Sequence, residues 1–573
     1  MYCNIVHRLG NETGLESLKF QQDCAHSLGF KTTLLIPLRA MENDEVVNYF
    51  KSQAAEYGDE IGIHFHHIAG KFYREKFNND ETEVAVYLKP FEMRKQIITL
   101  IFEKFYELFG FYPVSIGGYY FDSQTLSFIK EKYPTVKIAI MSCFEEGVKM
   151  FAGCSHGWYL FSEGGPWTAY YPSKKNSLCP AKSADEAIDI IGLPHLSRDM
   201  LMSYVGRDDW FSSHTANMQR GRLNRGKECK YIYDFFDEWL NQDKFNDSVY
   251  YNFFVGSGWL NEGRNFEETS EDSRDLYRQS LEYCKKKSDE GRVSVLTMSE
   301  YAEVHNKVFK IGRGDAVLWH DLACGSKRSL CWYVDPHWRL AIDPNMGGAI
   351  VDLRPYEGRI EQDLGPGSTQ MWNGSYPFAL SYPHRNATLG SRIGCETGSA
   401  GFATRTEVES VNKNGDEITF VLKPFNFNLG NNNVCVQLSY TFNNNGEVYL
   451  RKKILHADRT DIEYKIAETF NGSFGRTQYP EDIAGVRLYA KEKSGEIRTI
   501  TYEYLNRKAT VQNALCVGVE IPMLNCKIEL SSTADNASGS INEGAMFNPS
   551  YTFKLTEALH VGEESNICLK IKK

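Results

Sequence analysis

Several things are missing from this 573-residue chain, and each absence closes off a class of function. Basic residues are not in excess: 64 Lys and Arg stand against 74 Asp and Glu, a formal net charge of −10. Nucleic-acid binding needs a positive footprint, and none is present. The 14 cysteines form no CxxC pair and no Cys/His group with zinc-finger spacing, so they read as reduced core residues. No run of 18 apolar residues occurs, so no membrane span is expected. The opening MYCNIVHRLG has no apolar h-region. No signal peptide is therefore expected in the chain as given, and a periplasmic or extracellular location would follow only if one had been removed. There is no complete Walker loop, and no GxGxxG follows a strand.

Aromatic residues are plentiful. Trp 9, Tyr 33 and Phe 34 make 13% of the chain. Such rings fill cores, and they also form flat platforms at binding surfaces. One group, Tyr231, Tyr233, Phe235, Phe236 and Trp239, falls at helical spacing and reads as core. Another, HGWYLFSEGGPWTAYYP at 156–172, lies in a Gly/Pro-bearing stretch. It is either a sugar platform, with Trp167 and Tyr170 stacking on a ring, or a loop packed back onto the fold.

The chain changes character near residue 310. Before it, apolar runs at 2–7, 32–38, 60–66, 114–120, 136–143, 187–193, 249–255 and 293–298 alternate with amphipathic segments. The segment 92–109 places Met93, Ile97, Ile101, Phe105 and Leu108 on one stripe and stops at Gly110, the pattern of a capped amphipathic helix. Strand–helix alternation implies a mainly parallel sheet, and seven or eight strands suit a distorted (β/α)7-type barrel. After about residue 312 turn signals crowd in (NGD 414–416, GNNN 430–433, NNNG 443–446) between alternating segments such as 417–423 and 434–442. That is the signature of an antiparallel β-sandwich. The expected organisation is α/β plus all-β: a barrel domain over 1–308 and a sandwich over 316–573.

Chemistry in a barrel sits at the carboxyl ends of the strands. Those ends supply His7, Arg8, His64, His66, His67, Tyr119, Tyr120, Asp122, Glu145 and Glu146. His64 and His66 share a strand face because the period is two. They either bind a metal or sugar hydroxyls, or are ordinary hydrogen-bonded barrel histidines. Glu146 is a mouth carboxylate or a solvated turn. Asp122 is an acid or the cap of the helix that follows. Asp209, beside Asp208 and Trp210, is a second carboxyl or a surface loop charge. Glycoside cleavage requires two such carboxyl groups.

The segment GDEIGIHFHH (58–67) is similar to the GHEIGxHxxxH segment of polysaccharide deacetylases. GFKTTLLIP (29–37), FGFYPVSIGGYYFDSQTLSFIKE (109–131) and RVSVLTMSEYAEV (292–304) resemble the flanking segments of that family in the same order. The likeness spans roughly 1–305. It departs from the family at three points: Ile5-Val6-His7-Arg8 replaces the first-strand Asp-Asp, Ile68 stands where the second metal His would be, and Gly117-Gly118 replaces an Arg-Pro. The same superfamily includes glycoside hydrolases of families 38 and 57, which carry a β-sandwich after the barrel. GGAIVDLRPYEG (347–358) looks like the start of a galactose-mutarotase-type supersandwich. The whole resembles a bacterial group described as glycoside hydrolase/deacetylase. The resemblance implies a carbohydrate substrate, with Glu146 as nucleophile or base and Asp209 or Asp122 as acid. His64, His66, Tyr119, Trp167, Tyr170 and Trp210 would shape the sugar site, and no cofactor would be required. The alternative is a zinc-type deacetylase using His64 and His66. A further one is a glycan-binding protein without catalysis.

Overall fold

The computed structural model describes residues 1–9, 15–66, 68–82, 84, 86–118, 120–142, 166–194, 197–205, 230–256, 260, 270–322, 325–356, 379–381, 387–473, 483–544 and 550–572. Two compact units divide the chain: the first holds Met1–Ile311 and the second most of Gly312–Lys573.

The first unit is built on eight parallel strands: β1 (Tyr2–Arg8), β2 (Thr33–Pro37), β3 (Glu60–His64), β4 (Ser115–Gly117), β5 (Ile138–Ser142), β6 (Ile191–Pro194), β7 (Tyr250–Gly256) and β8 (Ser294–Leu296). Their order is β6-β5-β4-β3-β2-β1-β7, with β8 also paired to β1. From β1 to β6, neighbours in sequence are neighbours in space, as in a (β/α) barrel. Among the described residues the expected ring is not closed by backbone pairing: β6 and β7 are the two ends of the path. A side chain spans part of that edge. Asn252 on β7 donates from its backbone N–H to Ser197 Oγ (3.0 Å) and from Nδ2 to the Pro194 carbonyl (3.4 Å).

Nine helices are described around this sheet: α1 (Glu16–Ser27), α2 (Asp44–Tyr57), α3 (Lys71–Phe77), α4 (Phe91–Phe109), α5 (Ser123–Lys132), α6 (Met200–Val205), α7 (Lys230–Leu240), α8 (Ser270–Asp289) and α9 (Met298–Val308). Their ends follow local chemistry. Asn43 caps α2 by accepting from the Glu45 N–H. Gly58 and Gly110 close α2 and α4 at φ +75° and +81°, a conformation glycine adopts without a Cβ penalty. The stripe of α4 (Ile97, Ile98, Ile101, Phe102, Phe105) is fully buried in one cluster with Ile61, Ile63 and Ile116 of the sheet. Each such side chain contributes about 1.5–3 kcal/mol on burial. Tyr231, Phe235, Phe236 and Trp239 of α7 are buried, with Phe235 and Phe236 packed on Tyr251 of β7, while Tyr233 is half-buried.

The second unit consists of two large antiparallel sheets. One runs Lys508–Gln512, Ser538–Gly544, Ser550–Leu559, Tyr464–Ser473, Thr388–Cys395, Ala349–Pro355, Trp338–Asp343, Ser329–Val334, Asp315–His320. The other runs Val408–Asn414, Glu417–Leu422, Asn433–Phe442, Glu447–Ala457, Ile567–Lys572, Cys526–Ser531, Ala514–Ile521, Arg487–Glu492, Ile497–Thr501. Ser550–Leu559 alternates half-exposed and buried residues along much of its length, the mark of a sheet with one covered face. The described cysteines are all free thiols. No described helix is long and apolar enough to cross a membrane.

Candidate functional site at the carboxyl end of the parallel sheet

Strand parity decides which side chains reach the inside of the curved sheet. Leu34, Ile36, Ile61 and Ile63 belong to the cluster under the helices. Leu35, Val6, Ile138, Ile140, Ile191 and Leu193 form a second cluster, the interior one. On β3 the interior residues are therefore Glu60, Gly62 and His64, from the amino to the carboxyl end. The packing agrees. A Cβ at Gly117 would lie 2.5 Å from Leu35 Cδ1 and 3.4 Å from His64 Cδ2, and one at Gly62 only 2.8 Å from Leu35 Cδ2. The two glycines let Leu35 plug the interior beneath His64.

His64 is 1% exposed. Alternation continues past the strand: Phe65 turns outward against Phe121 (5.0 Å between centroids), while the His64 and His66 rings meet edge to face at 6.0 Å. Both imidazoles thus sit where barrel chemistry is expected. Arg8 also has interior parity, opposite Leu35 and Gly256, and is buried. The recurrence of Arg8 two residues after Val6 is the sequence signal that marks it.

His7 takes the other parity. It is fully buried under the helices, with Nε2 on the Tyr277 hydroxyl of α8. Burial pushes its pKa down to about 3, so it is a neutral core residue away from the mouth.

Three expected site residues, Asp122, Tyr170 and Trp167, are engaged within the fold. Asp122 caps α5, accepting from the Thr125 N–H at 2.7 Å, and forms a buried ion pair with Arg94. Arg94 also donates to Thr125 Oγ1 (3.0 Å). A carboxylate held by a helix start and a guanidinium positions α5, which is the cap reading of this residue. Tyr170 is 1% exposed. Its backbone bridges Gly192 in both directions (3.1 and 2.8 Å), and its hydroxyl donates to the Ser177 carbonyl (2.9 Å). Trp167 is buried too. The described part of the aromatic stretch is packed into the fold, tied to β6 by one bridge, between Tyr170 and Gly192. Neither ring is an open platform.

Glu146, with Glu145, and Asp209, with Asp208, lie outside the described residues, as do Tyr119, Trp210 and His67. Among the described residues no three His, Cys, Asp or Glu side chains converge as a metal site. The opposite end of the same interior row holds a group that sequence reading passed over. Glu60 accepts from Thr33 Oγ1 (3.1 Å) and from the Ser299 N–H at the start of α9 (2.8 Å). Burial raises its pKa.

A family model described as a domain of unknown function with a solved structure (DUF3863) matches residues 31–224. No curated protein matches the chain. Among solved structures, a protein from Parabacteroides distasonis, assigned provisionally as a glycoside hydrolase/deacetylase, is 15% identical, with 64% of this chain and 88% of that one covered and a TM-score of 0.47. A provisionally assigned polysaccharide deacetylase from Mycobacterium smegmatis is 11% identical, covering 54% and 92%, at a TM-score of 0.32. A galactose mutarotase-like protein from Clostridium acetobutylicum is 9% identical, covering 45% and 98%, at 0.29.

Proposed function

We propose that this chain is a carbohydrate-active hydrolase whose site is the carboxyl end of the parallel sheet, with a glycosidic bond as its target. The observation that carries the reading is the interior placement of His64, above the Leu35 plug and beside His66. Two imidazole edges and the Arg8 guanidinium at one mouth suit a ligand rich in hydroxyls. The family resemblance supplies the rest. Glu146 acts as nucleophile or base and Asp209 as the acid that protonates the leaving oxygen, on either side of an oxocarbenium-like transition state.

The test is a screen of glycans for new reducing ends, followed by Glu146→Gln and Asp209→Asn. Each substitution is expected to lower kcat by at least about 100-fold, the range for a lost acid–base group. Full activity in both variants overturns the assignment.

The His64–His66 pair favours one second reading, deacetylation assisted by a divalent ion. A catalytic zinc takes three protein ligands. The described residues offer two, so they do not complete such a site. Acetate release without new reducing ends, lost on His64→Ala, would replace the first reading by this one.

A further inference from the structure

The outer face of the second sandwich sheet carries a trough of about 350 Å3, within the size range of small-ligand pockets. Its origin is visible in the strand register. Tyr449, Cys568, Ser531, Cys516 and Lys491 lie opposite one another across five adjacent strands. Three small side chains in the middle of that row leave a depression, and Tyr449 and Lys491 stand at its two ends. The floor thiols are neutral, since burial pushes both up to about 12.

The next row is Glu447, Lys570, Glu529, Gly518 and Tyr489. It forms a charged wall whose members are already matched: Lys570 pairs with Glu447 (2.8 Å) and Lys572 with Glu529 (2.7 Å). The Tyr489 hydroxyl donates to Glu529 (3.2 Å). Lys491 is different. It lines the trough, is half-buried, and has no ion-pair partner among the described residues. Among the described residues the lining therefore carries one positive charge without an ion partner at one end and, at the other, the Tyr449 ring with the Arg451 guanidinium 5.5 Å from its centroid; the hydroxyls of Ser531, Ser532 and Thr533 also line it.

We propose that this trough binds an acidic saccharide. The carboxylate of a uronate pairs with Lys491, the apolar face of a sugar ring lies on Tyr449, and the ring hydroxyls meet the serine and threonine hydroxyls. The site belongs to the sandwich and stands independently of the hydrolase reading.

Calorimetric titration of the full chain tests it, with trigalacturonate, its methyl ester and inorganic sulfate as probes. Trigalacturonate is expected to bind. The ester, and trigalacturonate with Lys491→Glu, should each bind at least about tenfold more weakly, because one charge pair is lost. Ser531→Leu fills the depression and should abolish binding. Lys413→Glu, elsewhere on the same unit, should match the wild type. Unchanged thermal unfolding of Lys491→Glu keeps the test valid should Ser531→Leu fail to fold. Four results overturn the proposal: no binding of trigalacturonate at millimolar concentration, equal binding of acid and ester, binding unaffected by Lys491→Glu, or displacement by an equal concentration of sulfate, which would mark a simple anion site. None of these readouts involves glycan cleavage, so failure here leaves the barrel site untouched.

Discussion

Glu60 in the parallel-sheet unit and Glu468 in the sandwich are both acids inside a fold, and the two units satisfy them by different means. Glu60 receives the N–H of Ser299 at the start of α9 and the Thr33 hydroxyl. No cation pairs with it among the described residues. Glu468 faces Lys452 in an ion pair whose side chains are both fully buried, and it accepts from Ser391 Oγ (2.9 Å). Burial moves the pair toward neutrality, raising Glu468 and lowering Lys452. The contrast follows from the elements available. An α/β unit presents helix N-termini, whose free N–H groups and partial positive charge stabilise a carboxylate. Among the described residues no helix end meets Glu468, and a cation holds that acid; Glu557 in the same unit, 1% exposed, is held instead by the Asn566 N–H and the Ser532 hydroxyl.

That comparison can be broken most forcefully at Lys452. Lys452→Met strands Glu468 in an apolar interior and should cost about 3–5 kcal/mol of sandwich stability. The double variant Lys452→Met/Glu468→Leu should recover most of it, since apolar replacement of a whole buried pair is often neutral. A single-variant loss below about 1 kcal/mol in urea unfolding would show that the pair is not what keeps Glu468 inside. Asp122 is the intermediate case, a carboxylate that uses both a helix start and a cation. Asp122→Ala should lose about 2–4 kcal/mol, because it removes a cap and leaves alone a guanidinium that is nearly but not fully buried. Asp122→Asn keeps the cap and should lose less. On any substrate the wild type cleaves, Asp122→Asn should retain turnover; loss of turnover with intact folding would restore Asp122 as an acid.

Much of this organisation was legible in the residues. The apolar runs at 2–7, 32–38 and 60–66 became β1, β2 and β3, because short runs bounded by turn residues have few other uses. The stripe in 92–109 became α4, closed at Gly110. What could not be read was parity relative to a neighbour. His7 and His64 both sit near strand ends, yet one faces the helices and the other the interior, and only the register of β1 against β2 separates them. Glu60 was invisible for a related reason: its partners Thr33 and Ser299 are distant in sequence. For Tyr170 and Trp167 the residues left two alternatives, a platform or a stretch packed onto the fold, and the bridge of Tyr170 to Gly192 is a contact that a Gly/Pro-bearing stretch does not announce. Beside that bridge a Cβ on Gly192 would meet Met141 Sδ at 2.7 Å and Pro172 Cγ at 3.1 Å.

Two smaller changes sharpen the contrast at the helix end. Thr297 and Glu300 form a reciprocal capping box on α9, so Thr297→Ala should cost about 1 kcal/mol. It should also loosen the N–H group that Glu60 uses. Glu60→Gln is the finer test, because its effect depends on pH. Burial raises the folded-state pKa of Glu60 above its ordinary value. Between the unfolded and folded pKa values the native state holds more protons, so stability falls as pH rises through that window and stays lower above it. Glutamine is spared this loss. Its carbonyl oxygen still accepts from Thr33 and Ser299. Glu60→Gln should therefore match the wild type below about pH 4, where both side chains are neutral. It should gain on the wild type as pH rises and be the more stable protein at pH 7. Thermal unfolding across pH 4–8 reads the difference directly. A wild type that gains relative to Glu60→Gln with rising pH would mean that the end of α9 holds the carboxylate more strongly than burial penalises it, and that a helix terminus equals a lysine as a partner for a buried acid.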